Sequence, residues 1–155
     1  MSLSRERFTV RRMMVAVTFM PLLVAGCGGD EYRTPDAVFE ATFNSTPGPS
    51  VSILEANGRA WGDNSTCYLR FKASPAAFSA LTAVGFTPIT GMEYRERIQS
   101  GRIVGPLPQW WNPLGDTPTV FFCSGSFHSN YREGQAIVAY DPKLEIANFY
   151  WDGND

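Results

Sequence analysis

Side chains that carry reactive or metal chemistry are scarce in this chain: among 155 residues there is one histidine, His128, and there are three cysteines, Cys27, Cys67 and Cys123. No CxxC spacing occurs, and two sulfurs with one imidazole fall short of a tetrahedral set, so no metal site is expected. The glycines are scattered among turn-like segments rather than gathered in a phosphate or dinucleotide loop, and no cofactor is implied. Ser124-Gly125-Ser126 lacks the GxSxG pattern that exposes a nucleophilic serine. Positive charge is not in excess either, with 13 Lys and Arg against 15 Asp and Glu. Arg5, Arg7, Arg11 and Arg12 cluster near the start with only Glu6 to oppose them; setting these five aside leaves nine bases against fourteen acids. An acidic remainder of this kind has no electrostatic footprint for nucleic acid.

Long hydrophobic runs are also missing. The apolar stretch Met13 to Gly26 is broken by Pro21 and is too short to span a bilayer, which takes about 20 apolar residues. Behind an Arg-rich start and ahead of small residues, it has the layout of a secretory signal. Its end, Leu23-Val24-Ala25-Gly26-Cys27, resembles the lipobox of bacterial lipoproteins. That resemblance implies cleavage before Cys27 and thioether linkage of its sulfur to diacylglycerol. The expected organisation is then a signal peptide over 1–26, a lipidated N-terminus and tether over 27–35, and one domain over 36–155. Acyl chains worth ~0.8 kcal/mol per buried methylene make the bilayer itself the first partner. The implied location is the cell envelope, and Gly28 after the cysteine implies the outer membrane in a Gram-negative cell.

With Cys27 consumed by lipid, Cys67 and Cys123 remain as an even pair in an oxidising compartment, and a disulfide between them is expected. The alternative is two separately buried cysteines acting as small hydrophobes, since both sit in apolar strand-like runs.

Within the domain, Asp36 to Phe43 reads two ways. Ala37, Phe39, Ala41 and Phe43 alternate as a strand would, while Pro35-Asp36 resembles a helix start. Val51 to Ala56 reads as a strand that Asn57-Gly58 would turn into a tight hairpin. Thr66 to Lys72 places Cys67, Leu69 and Phe71 on one face and Tyr68, Arg70 and Lys72 on the other. Ser74 then offers an N-cap, Pro75 a first helical residue, Ala77, Phe78, Leu81 and Val84 an apolar stripe, and Gly85 a stop. Thr119 to Cys123, Ala136 to Tyr140 and Ile146 to Trp151 are strand-length runs, the last two joined by a turn at Asp141 to Glu145. The expected fold class is α+β: a mostly antiparallel sheet of four to six strands with one helix, Ser74 to Val84, packed on one face.

Gly101 to Pro118 is rich in glycine and proline and carries Trp110-Trp111, the composition of a binding loop or packed lid. Indoles suit stacking on sugar rings or anchoring a protein partner. With Arg95 and Arg102 nearby, the four residues are the candidate binding set for an envelope protein or a glycan. The alternative is that an indole folds back over the sheet. A non-enzymatic envelope lipoprotein binding through this aromatic loop is the expected function. A small hydrolase using His128 with a carboxylate is its rival, discriminated by whether His128 lies within hydrogen-bond reach of a carboxylate in a concave pocket.

Overall fold

A computed structural model of the chain describes residues 34–61, 64–100, 107–114, 120–129 and 133–154. The leader, Cys27 and most of the tether lie outside the described residues. In chain order the elements are α1 (Pro35–Phe43), β1 (Val51–Trp61), β2 (Asn64–Ala73), α2 (Pro75–Thr82), β3 (Thr87–Ile89), α3 (Gly91–Gln99), β4 (Val120–His128), β5 (Glu133–Asp141) and β6 (Ile146–Asn154).

The strands form one six-stranded sheet in the order β1-β2-β6-β5-β4-β3, with every neighbouring pair antiparallel. The β4-β5-β6 meander is local, and β6 closes the sheet by pairing with β2, so residues some eighty positions apart, such as Leu69 and Phe149, meet at its centre. Class α+β and mostly antiparallel pairing therefore hold. The described residues contain three helices rather than one, and they cover both faces.

Alternate residues of paired strands share a face, which divides the core in two. Helices α1 and α2 cover the first face, where Cys67, Leu69, Phe71, Val138, Tyr140, Phe149 and Trp151 are buried. Phe78 of α2 stacks on Tyr140 at 4.0 Å and 7°, and the Tyr140 hydroxyl donates to the Ala73 carbonyl at 2.9 Å. Ser74 caps α2 by accepting from the Ala77 N–H at 3.3 Å, and Gly85, at φ 79, turns the chain away after it. The second face buries Tyr68, Tyr94, Trp111, Cys123, Ile137, Ala139 and Tyr150. Its cover is α3 and the short segment 107–114. This second layer is why Tyr68, on the face expected to be polar, is buried.

The ambiguous 36–43 segment is helical. Thr34 accepts from the Ala37 N–H at 3.2 Å, Pro35 starts the helix and Asn44, at φ 56, ends it. The buried set Val38, Phe39, Ala41 and Thr42 follows a helical period, and the alternating pattern is incidental. The helix thus begins inside the segment expected to be tether. The hairpin expected at Asn57-Gly58 is corrected: both residues lie mid-strand, Asn57 opposite Tyr68 and Gly58 opposite Cys67, and β1 continues to Trp61 opposite Asn64. The pairs gained by continuing outweigh the local turn preference.

The Cys67–Cys123 disulfide is also corrected. Both cysteines are free and buried, on opposite faces of the sheet. They stand on β2 and β4, with β6 and β5 between them. Three strand spacings of about 4.8 Å put them far beyond the roughly 7 Å Cα separation a disulfide tolerates. Instead Cys67 Sγ lies 3.1 Å from Thr42 Oγ1, which donates to the Val38 carbonyl at 2.7 Å, so the thiol helps seat α1 on the sheet.

At the β5–β6 end, Gly134 and Gly153 stand opposite each other. A Cβ on Gly134 would collide with the Asp152 carbonyl and with Gly153 Cα, so the strands approach too closely for any side chain there.

Candidate functional site

The second face carries the most distinctive constellation among the described residues. Register places Tyr68 opposite Tyr150 and Arg70 opposite Asn148 on the paired strands β2 and β6. Residues 107–114 cross these rows, shaped by a hydrogen bond from the Trp111 N–H to the Pro108 carbonyl at 2.9 Å. Adjacent residues in this turn have opposite fates. Trp111 points inward, 7% exposed, with its ring 5.3 Å from Tyr68 at 71°. Trp110 is half-buried, 6.2 Å from Trp111 at 76°, and forms a wall of a cleft of ≈ 120 Å³.

Arg70, Asn112, Asn148, Ile146, Leu144 and Asp141 complete that cleft. Asp141 Oδ1 accepts from the N–H groups of Lys143 at 2.8 Å and Leu144 at 3.1 Å, which fixes the β5–β6 turn and the cleft's end. The remaining groups are complementary in chemistry. A guanidinium offers a fork of donors suited to a carboxylate, amides both donate and accept, and an indole offers a flat apolar face.

Next to the cleft the second face is buried. Burial, the Asp152 charge and Cys67 push the Tyr68 phenol up to about 12, and burial alone raises Tyr94. Burial also raises the Asp152 carboxyl, opposed in part by a hydrogen bond with Tyr150. The hydroxyls of Tyr68 and Tyr94 and the Trp111 indole N–H make no hydrogen bond to the described residues. Both shifts favour the neutral phenol.

Of the three candidate binding residues that are described, only Trp110 reaches the cleft. Trp111 belongs to the core, Arg95 is exposed on α3 outside the cleft lining, and Arg102 lies outside the described residues. Arg70, Asn112 and Asn148 are additions. Alternation in the β2 sequence sets Arg70 on the face of Tyr68, but nothing local foretells that β6 and the tryptophan segment converge on it.

No protein-family model, curated protein or solved structure matches the chain.

His128 ends β4 opposite Glu133, with its Nε2 4.0 Å from Glu133 Oε2 and side chains 72% and 59% exposed. That separation is too long for a hydrogen bond. His128 and Ser126 border a shallower depression of ≈ 340 Å³ floored by Phe43, Leu81 and Phe127. Glu93 Oε2 accepts from the Thr90 N–H at 2.7 Å and hydroxyl at 2.9 Å, closing a capping box on α3. Among the described residues no three His, Cys, Asp or Glu side chains gather as metal ligands, and no helix is long and apolar enough to cross a membrane.

Proposed function

We propose that the protein is a lipid-anchored envelope protein, without catalysis of its own, that holds a carboxylate-bearing cell-wall glycan in the cleft beneath Trp110. The observation that carries this is the half-buried Trp110 facing Arg70, Asn112 and Asn148 across a cleft of ≈ 120 Å³. The indole would cover the C–H face of a sugar ring, Arg70 would engage the carboxylate, and the two amides would meet hydroxyls. The volume suits one acidic substituent and part of its ring rather than a long chain.

Lipidation at Cys27 rests on the lipobox resemblance, and the fold is compatible with it. The chain enters the domain through α1 on the first face, while the cleft is on the second.

The hydrolase alternative draws support from His128 and Ser126 beside the larger depression. It is weakened by the long His128 to Glu133 separation and by the exposure of both side chains.

Co-sedimentation of full-length protein in detergent with purified peptidoglycan sacculi, and with neutral cellulose as a control, tests the proposal. Sacculi should retain the protein and cellulose should not, with Trp110→Ala and Arg70→Gln each weakening retention about tenfold and His128→Ala leaving it unchanged. Equal sedimentation of wild type and Trp110→Ala would overturn it.

A further inference from the structure

The two edges of the sheet differ. At one, β3 is three residues long and contains Pro88, which cannot donate a ladder hydrogen bond. At the other, β1 runs for 11 residues without a proline, and no described strand pairs with its outer side. A long edge of this kind is a template for another strand unless it is blunted. A bulge at Leu54 interrupts its regular register with β2 on the N-terminal side, leaving the stretch from Glu55 onward regular.

The charges on that stretch are of opposite sign and evenly placed. Glu55, Asn57 and Arg59 occupy alternate positions, are all exposed, and share the second face. Like charges on an edge would repel a second copy. Here an antiparallel pairing of β1 with itself, centred on Asn57, sets each Glu55 opposite Arg59 of the other copy and places Ala56 opposite Gly58. Register and sign agree at one centre only.

We infer that β1 is a self-association edge, through which two copies join into one continuous twelve-stranded sheet with its two-fold axis at Asn57. The occupant is a second copy because the spacing complements itself. An antiparallel strand pair has its two-fold axis normal to the sheet. Both α1 helices, and so both chain entries, then lie on one side of the joined sheet and both Trp110 clefts on the other. Two copies anchored in one membrane would then have both chain entries on the same side, and a multivalent glycan would meet two sites on one face. The pairing is argued from β1 and does not depend on what the cleft binds, while its membrane setting rests on the proposed lipid anchor.

The test is oxidative cross-linking of full-length Asn57→Cys in membranes, with Ser52→Cys as the control. In this register two Ser52 positions lie roughly ten residues, about 33 Å, apart. Asn57→Cys should give a disulfide-linked product of twice the monomer mass, and Ser52→Cys should not. Adding Glu55→Arg or Arg59→Glu to Asn57→Cys should cut the yield about tenfold, and the double exchange should restore it, which separates charge pairing from loss of fold. Absence of the product, equal yields from both cysteine positions, failure of the exchange to restore it, or a product whose mass reveals a different protein would each overturn the inference.

Discussion

Trp110 and Trp111 show at the scale of single residues how one dipeptide divides between a cleft wall and the core. Trp111 fills the second core against Tyr68. Trp111→Ala should therefore lower unfolding stability by ~3 kcal/mol or more, as expected for a large buried aromatic, read as a drop in the urea midpoint. Trp110→Ala should cost clearly less, because that ring is half-buried at a cleft wall. Equal losses would assign both indoles to the core. The cysteines give a second residue-scale prediction. Burial lifts the Cys67 thiol up to about 12, so almost no thiolate forms at neutral pH and alkylation of folded protein should be slow. Unfolding without reductant should let Cys67 and Cys123 each take one alkyl group by mass; no uptake would mean that they are bridged after all.

At the scale of elements, α3 rests on its cap. It buries Tyr94 fully and Ile98 in part, an apolar stripe too narrow to reveal the helix from hydropathy. Thr90→Ala should reduce stability by ~1 kcal/mol, checked by urea unfolding. The hydrogen bonds from Thr90 hold the Glu93 carboxyl below its ordinary 4.5. The folded value thus lies under the unfolded one, so the stabilisation is present above the unfolded value and is lost as pH falls through the folded value. The stability gap between wild type and Glu93→Gln should be flat near neutral pH and close below about 4.5; a gap that persists in acid would deny the ionised carboxylate this role.

The same elements show where local residues suffice. Helix α2 was legible because the Ser74 cap, Pro75 and the stripe Ala77, Phe78 and Leu81 are local, although the helix ends at Thr82 and Val84, expected on the stripe, is exposed. The β5–β6 hairpin was legible because Asp141 organises its own turn. The Thr90-to-Glu93 box was equally present in the sequence as a T-x-x-E signal, though it sits beside Gly91 and among charges that resemble a solvated face. Asn57-Gly58 misled because a turn preference is weak against the ladder that carries β1 through to Trp61. The disulfide pairing and the cleft were beyond reach for one reason: both depend on strand order. Only the insertion of β6 beside β2 separates the two cysteines and brings Asn148 to Arg70. Trp110 was legible as a candidate by residue type, but its partners were not.

For the whole molecule, a sheet covered on both faces leaves the proposed recognition at one cleft and the proposed association at one edge, and the proposed lipid anchor would decide where both operate. If Cys27 carries the lipid, the domain sits within a short tether's length of a bilayer. Metabolic labelling with radioactive palmitate, combined with membrane fractionation of wild type and Cys27→Ser, measures this most directly. Wild-type protein should carry label and sediment with membranes, and Cys27→Ser should carry none and leave the membrane or stall as precursor. Label retained by Cys27→Ser, or full-length wild-type chain free in the cytosol with an unmodified amino terminus, would contradict the account.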